Sequence, residues 1–259
     1  MSQVRKYMLG AVAAAAMSMT SMTSQAAITQ LGFILDRSGS IQSSGWDTIR
    51  TGLAAAMDII PQDGTYEVSV VSFSDSATIN VNKTLVDATT IAGLKASILG
   101  IGFTGGTTNY QAAFNSMQTA LFGGAIPGRV YDFQYVNFAT DGAPCCDNDS
   151  EANGTAARNA IVAAGVDNIS IEGIGVNAST KAYLTGTICH PQPCDETQPF
   201  EFPTQGFYIG LANADAYTDA IAAKLRVITG VPEPTTVALV GLALAGLGLA
   251  RRRKEAKAA

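Results

Sequence analysis

The sequence predicts an α/β layered domain with a mostly parallel sheet, and three observations carry that reading. Short apolar runs rich in β-branched and aromatic residues recur between Leu31 and Leu211. Stretches with apolar residues three and four apart lie between them. This alternation of periods is the pattern of strand–helix–strand units. The stretch from Ala27 to Gly230 is also long enough for one domain with a sizeable core and somewhat short for two.

The elements follow in order. Leu31 to Leu35 is the first strand. From Trp46, the apolar positions Trp46, Ile49, Leu53, Met57 and Ile60 fall on one helical face, and Pro61 ends the run. Tyr66 to Phe73 is the second strand. Thr78 to Leu85 follows a Ser-Asp-Ser turn and carries Ile79, Val81 and Leu85 at odd positions, so it reads as an antiparallel edge strand. Ile91, Leu94 and Ile98 mark a second helix, and Ala112, Phe114, Met117 and Leu121 a third. Val130 to Ala139 is the central strand, Ala156 to Ala164 a helix and Ile169 to Val176 a strand. The last pair is Phe207 to Leu211 and the helix Ala216 to Ile228, closed by Gly230. His190 to Pro203, rich in Pro and Gln, is the one extended loop.

The two ends differ from this body. Arg5 and Lys6, an apolar run from Met8 to Met17 and the small residues before Ala27 have the layout of a secretory signal peptide over residues 1–26, too short to span a bilayer. At the other end, Pro232-Glu233-Pro234 precedes an uncharged apolar segment and then Arg251, Arg252, Arg253 and Lys254. As a helix, Thr235 to Ala250 would cover ~24 Å, below the ~30 Å hydrocarbon thickness but extendable by snorkelling arginines. The basic cluster would hold residues 255–259 in the cytoplasm, consistent with an exported N-terminus. These three parts in this order closely resemble the PEP-CTERM sorting signal of Gram-negative bacteria. The resemblance implies a transient inner-membrane anchor over 231–254, processing by an exosortase-type protease, and delivery to the cell envelope, surface or extracellular matrix.

Charge also separates the body from its ends. Nine of the 16 basic and 19 of the 21 acidic residues lie between Ala27 and Gly230, leaving a net charge near −10 there. An acidic body without a Lys/Arg cluster lacks the electrostatic footprint of a nucleic-acid binder. Cations are the natural partners.

In an open α/β sheet, ligands bind outside the carboxyl ends of the strands. Asp36-Arg37-Ser38-Gly39-Ser40 follows the first strand, Thr140-Asp141-Gly142 ends the central one, and Gly105-Gly106-Thr107-Thr108 precedes the third helix. Carboxylates and hydroxyls without thiolate or imidazole form a hard donor set, suited to Mg²⁺ first, with Mn²⁺ or Ca²⁺ as alternatives. Together the three motifs resemble the metal-ion-dependent adhesion site of the von Willebrand factor type A domain. That resemblance implies a Rossmann-like, doubly wound, mainly parallel sheet with one antiparallel edge strand, and Asp36, Ser38, Ser40, Thr107 and Asp141 as metal-site positions. The central strand departs from the family's usual aliphatic pattern with Asp132, Gln134 and Asn137, predicting partial exposure or local polar partners. Thr108-Asn109 stands where the family commonly has Asn-Thr.

Cys145, Cys146, Cys189 and Cys194 are disulfide candidates in an exported chain. Two cross-links between the loops, in either pairing, are preferred, and a local Cys189–Cys194 bridge is the alternative. A zinc site with His190 lacks the usual spacing. Asp147, Asp149 and Glu151 read as a solvated acidic loop, and five Asn-x-Ser/Thr sequons read as compositional. An enzyme is disfavoured: there is one histidine, no Gly-x-Ser-x-Gly and no Gly-x₄-Gly-Lys. The expected function is metal-dependent binding of a protein or matrix partner that offers an Asp or Glu carboxylate. A structural matrix component whose metal site serves stability or assembly is the alternative. Mass spectrometry of the mature C-terminus tests the sorting reading, with Arg251 to Ala259 expected to be missing.

Overall fold

The computed structural model describes residues 27–124, 126–146 and 149–230. The predicted signal peptide, the Pro-Glu-Pro motif and the apolar run to Ala250 lie outside these residues. Among the described residues no helix is long and apolar enough to cross a membrane.

The described residues form six strands and six helices, alternating except for one strand pair and one helix pair. β1 (Ile28–Asp36) leads through a 3₁₀ turn to α1 (Gln42–Ala56), then β2 (Asp63–Phe73) and β3 (Ala77–Asp87) form a hairpin. α2 (Ile91–Leu99) and α3 (Tyr110–Phe122) precede β4 (Tyr131–Thr140). α4 (Glu151–Ala163), β5 (Asn168–Ile174), α5 (Ala178–Tyr183), β6 (Tyr208–Leu211) and α6 (Tyr217–Thr229) complete the domain. The sheet order is β3-β2-β1-β4-β5-β6. β3 pairs antiparallel with β2, as its alternating pattern predicts, and all other pairs are parallel.

Each face of the sheet carries its own core. Leu31, Phe33 and Leu35 of β1 pack with Trp46, Ile49 and Leu53 of α1 and Ile221 and Leu225 of α6. Ile34, Val71 and Phe73 pack on the other face with Phe114 and Met117 of α3 and Ile161 of α4. Each such side chain fully withdrawn from water contributes ~1.5–3 kcal/mol. Gly32 lets α3 approach, since a Cβ there would lie 2.6 Å from the Met117 sulfur.

Several boundaries and contacts differ from expectation. α4 begins five residues before Ala156 because Ser150 caps it, its hydroxyl accepting from Asn153 N–H at 3.2 Å. α5 continues as a π-helical turn, Leu184–Ile188. It lacks a readable apolar stripe over six residues and is capped by Asn177, whose side-chain oxygen accepts from Thr180 N–H at 2.9 Å. Polar β4 is explained by both predicted routes. Asp132 is exposed, whereas Asn137 is buried beside Glu172 and Tyr217.

Glu172 of β5 and Lys224 of α6 are both fully buried, with Nζ 2.9 Å from Oε1. At that distance the contact is an ion pair. Burial raises the Glu172 pKa and lowers that of Lys224, and each charge opposes the other's shift.

The cysteine pairing requires a correction. The preferred cross-links between loops are not formed, because Cys189 and Cys194 bridge each other with Cα atoms 5.8 Å apart. Cys189 is buried at the end of the π turn, while Cys145 and Cys146 are exposed on a segment tied to Thr108 O through Cys145 N–H. The bridge also consumes two of the thiolates a zinc site with His190 would need.

Two outcomes follow from these contacts. Non-reducing peptide mapping should find Cys189 linked to Cys194, with Cys145 alkylated without prior reduction. Lys224→Met should cost about 3–5 kcal/mol in urea unfolding at neutral pH, because it leaves Glu172 buried and unpaired. A carboxylate whose folded pKa is raised weakens the fold as pH rises, so this penalty should shrink on acidification as Glu172 takes up a proton.

Candidate metal centre

The carboxyl ends of β1 and β4 meet at one point of the sheet. Leu35 stands opposite Ala139 in the parallel register, which brings Asp36 beside Thr140 and leaves Asp141 as the next residue. Asp36 is fully buried. Its Oδ1 accepts from Ser38 N–H at 2.8 Å and its Oδ2 from the Thr140 hydroxyl at 2.7 Å. Ser38 Oγ lies 3.2 Å from Ser40 Oγ, and the Ser40 hydroxyl donates to Asp141 Oδ1 at 2.8 Å. Asp36, Ser38, Ser40 and Asp141 are thus brought together, with Ser40 and Asp141 toward the surface.

The Gly-Gly-Thr turn touches this group through its backbone. Gly39 N–H donates to Gly106 O at 2.9 Å, placing the turn against the loop between the two serines. Gly105 and Gly106 adopt φ of 67° and 94°, a region that disfavours side chains. Thr107 occupies the expected place in the chain, but its side chain is not hydrogen-bonded to the other four residues. Its N–H and hydroxyl both donate to Asp75 Oδ1, at 2.5 and 2.6 Å. Thr108 is buried, whereas Thr107 is partly exposed.

The electrostatics are lopsided. Burial, reinforced by the neighbouring Asp141 charge, pushes the Asp36 pKa up to about 7. Burial also raises Asp141, against the hydrogen bond from Ser40. The hydrogen bonds from Thr107 lower Asp75. No basic side chain is among the groups acting on Asp36. The adjacent Arg37 turns away, donating to Gly102 O at 3.0 Å and Thr78 Oγ1 at 3.4 Å. Two converging carboxylates without a cation, set among hydroxyls, fit a hard divalent ion that would supply the missing positive charge. Among the described residues no cluster of three or more His, Cys, Asp or Glu is placed for a metal. The set here relies on hydroxyls for its remaining donors. A cavity of ≈ 270 Å³ opens beside Ser40 and Asp141, walled by Ile41, Ile174, Ala212 and Ala214.

Three residues that shape this edge are not among the predicted site residues. Thr140 bonds Asp36, and Asp75 holds Thr107. Asp149 corrects the solvated-loop expectation. It is buried, and its Oδ2 accepts from Tyr110 and Gln111 N–H at 2.6 and 3.1 Å, capping α3. Each contact spans 32 or more residues along the chain, so local spacing carried no signal for it.

Comparison with known proteins agrees with the fold. A proximal thread matrix protein 1 from mussel byssus, solved with a zinc-occupied MIDAS motif, superposes with TM-score 0.57 at 16% identity, over 79% of this chain and 46% of that one. The pilus adhesin SpaC from Lactobacillus rhamnosus GG gives 0.60 at 13% identity, over 78% of this chain and 31% of that one. Manganese-loaded TRAP protein from Plasmodium vivax gives 0.53 at 21% identity, over 78% and 72%. The chain therefore spans less than half the length of the mussel and Lactobacillus proteins. No curated protein sequence matches it. The family model for the von Willebrand factor type A domain matches residues 30–205, and that for the PEP-CTERM protein-sorting motif matches residues 230–254. The chain belongs to the von Willebrand factor type A domain family and carries a C-terminal PEP-CTERM sorting motif.

Proposed function

We propose that this protein is an exported, non-enzymatic adhesion module of the bacterial surface or extracellular matrix. It binds a carboxylate-bearing protein or matrix partner through a divalent cation, Mg²⁺ in the first instance. The observation that carries this reading is the convergence of Asp36 and Asp141 at the sheet's carboxyl edge with no basic side chain to neutralise them. Asp36, Ser38, Ser40, Thr107 and Asp141 would hold the ion, which when bound supplies a Lewis-acidic position for the partner's carboxylate. The buried Asp36 anchors the inner side, while Ser40 and Asp141 border the open cavity where a partner can approach.

The sorting motif and the structural likeness to a pilus adhesin and a byssal matrix protein support an adhesion or matrix role. The PEP-CTERM motif supports export and processing by an exosortase-type protease, with a Gram-negative host as the expected setting. Topology suits such display. α6 returns antiparallel to the sheet's parallel strands, so Gly230 leaves the domain at the end opposite Asp36 and Asp141. A chain held by its C-terminal segment would therefore direct the metal edge outward.

Isothermal titration with Mg²⁺ or Mn²⁺ tests the reading directly. Wild type should bind one ion and Asp36→Ala none, with unchanged circular dichroism; equal binding by both would overturn the assignment. The pH dependence has a defined sign. Below about 7 a proton competes with the ion for Asp36, so apparent affinity should fall up to about tenfold per pH unit. Metal-free protein should instead gain stability as the pH falls from 8 to 5, since protonation removes a buried, repelled charge.

A further inference from the structure

We infer that Asp75 is a positioning residue for the candidate metal centre: it accepts the hydrogen bond of the Thr107 hydroxyl and so fixes that oxygen with a lone pair available to a cation. The inference rests on the metal-binding reading above and adds a carboxylate that the three motifs do not contain.

A hydroxyl ligates a cation through a lone pair, so its proton needs an acceptor elsewhere. Thr107 Oγ1 donates to Asp75 Oδ1 at 2.6 Å, and Thr107 N–H donates to the same oxygen at 2.5 Å. The two bonds fix both the backbone and the rotamer of Thr107. The proton points toward Asp75, leaving the opposite side of the oxygen as acceptor. Ser40 follows the same logic at the other edge, giving its proton to Asp141. Carboxylates that orient the ligands of a metal in this way commonly tune its affinity.

Asp75 is itself held in place. It sits in the turn after β2, where Ser74 N–H donates to Ser76 O at 2.9 Å. Asn109 clamps the turn twice, through its N–H to Ser74 O at 3.0 Å and its Nδ2 to Asp75 O at 3.2 Å. The Ser74 and Thr104 hydroxyls meet at 3.1 Å on the other side. Gly106 completes the fit. A Cβ at that position would fall 2.6 Å from an Asp75 carboxylate oxygen, so only glycine lets the carboxylate lie against the turn. Gly106 O in turn receives Gly39 N–H, between the two serines of the site. A continuous path of contacts thus joins Asp75 to the metal-facing loop.

The test is Mn²⁺ titration of the full chain by calorimetry, with Asp75→Ala, Asp75→Asn, Thr107→Val and the Asp75→Ala/Thr107→Val double variant. Asp75→Ala should bind Mn²⁺ about 10–100-fold more weakly. Asp75→Asn, which keeps an acceptor oxygen, should recover most of that loss. Asp75→Ala should have little further effect once Thr107 is valine, a coupling that general destabilisation would not produce. Wild-type affinity in Asp75→Ala, or full additivity in the double variant, would overturn the inference while leaving the metal site standing. If wild type binds no Mn²⁺, or Asp36→Ala binds it as tightly as wild type, the metal-site reading itself falls and this inference with it.

Discussion

The parallel register between β1 and β4 is the constraint on which the rest of the molecule's chemistry depends. With Leu35 opposite Ala139, the two central strands end level, so the carboxylates that follow them converge. Each strand has apolar neighbours on both faces of the sheet, and a slip of one residue would exchange core and opposite-face side chains. The packing of Phe33 and Leu35 on one side and Ile34 and Phe138 on the other therefore fixes where Asp36 and Asp141 stand. Hydrophobic burial sets the positions of the charges.

Once placed, those charges are only partly satisfied by protein. Asp36 accepts hydrogen bonds from Ser38 N–H and Thr140, yet burial and Asp141 still push its pKa up to about 7. The fold tolerates this at the carboxyl edge of the sheet, whereas two buried carboxylates elsewhere have cationic partners. Glu172 has Lys224, and Glu67 has Arg129 together with Gln30 at 2.8 Å. Asp36, which has no such partner, lies in the motifs that carry the family resemblance. A local departure from charge pairing at an otherwise consistent fold is what a binding site looks like energetically.

Much of this was legible beforehand because it is local. The stripe from Trp46 to Ile60 gave α1 its buried face, and the odd positions of Thr78 to Leu85 identified β3 as the antiparallel edge. Asp36, Ser38, Ser40 and Asp141 follow strand ends that periodicity alone can locate. The short α5 was hidden because six residues provide too few turns for a stripe. The cysteine pairing was hidden because spacing cannot distinguish a local bridge from two cross-links.

By itself the sequence determined the alternation of strands and helices, the acidic body and the sorting motif, and it offered the candidate site residues, since each is written in short-range pattern. Tertiary structure alone decided that Thr107 is held by Asp75, that Thr140 bonds Asp36, that Asp149 caps α3 and that Cys189 closes on Cys194. The first three join residues 32 to 104 positions apart. The last depends on a buried turn that holds the Cys189 Cα 5.8 Å from that of Cys194. Such contacts leave no periodic trace in the chain, because they arise only when packing has brought the sheet's loops together.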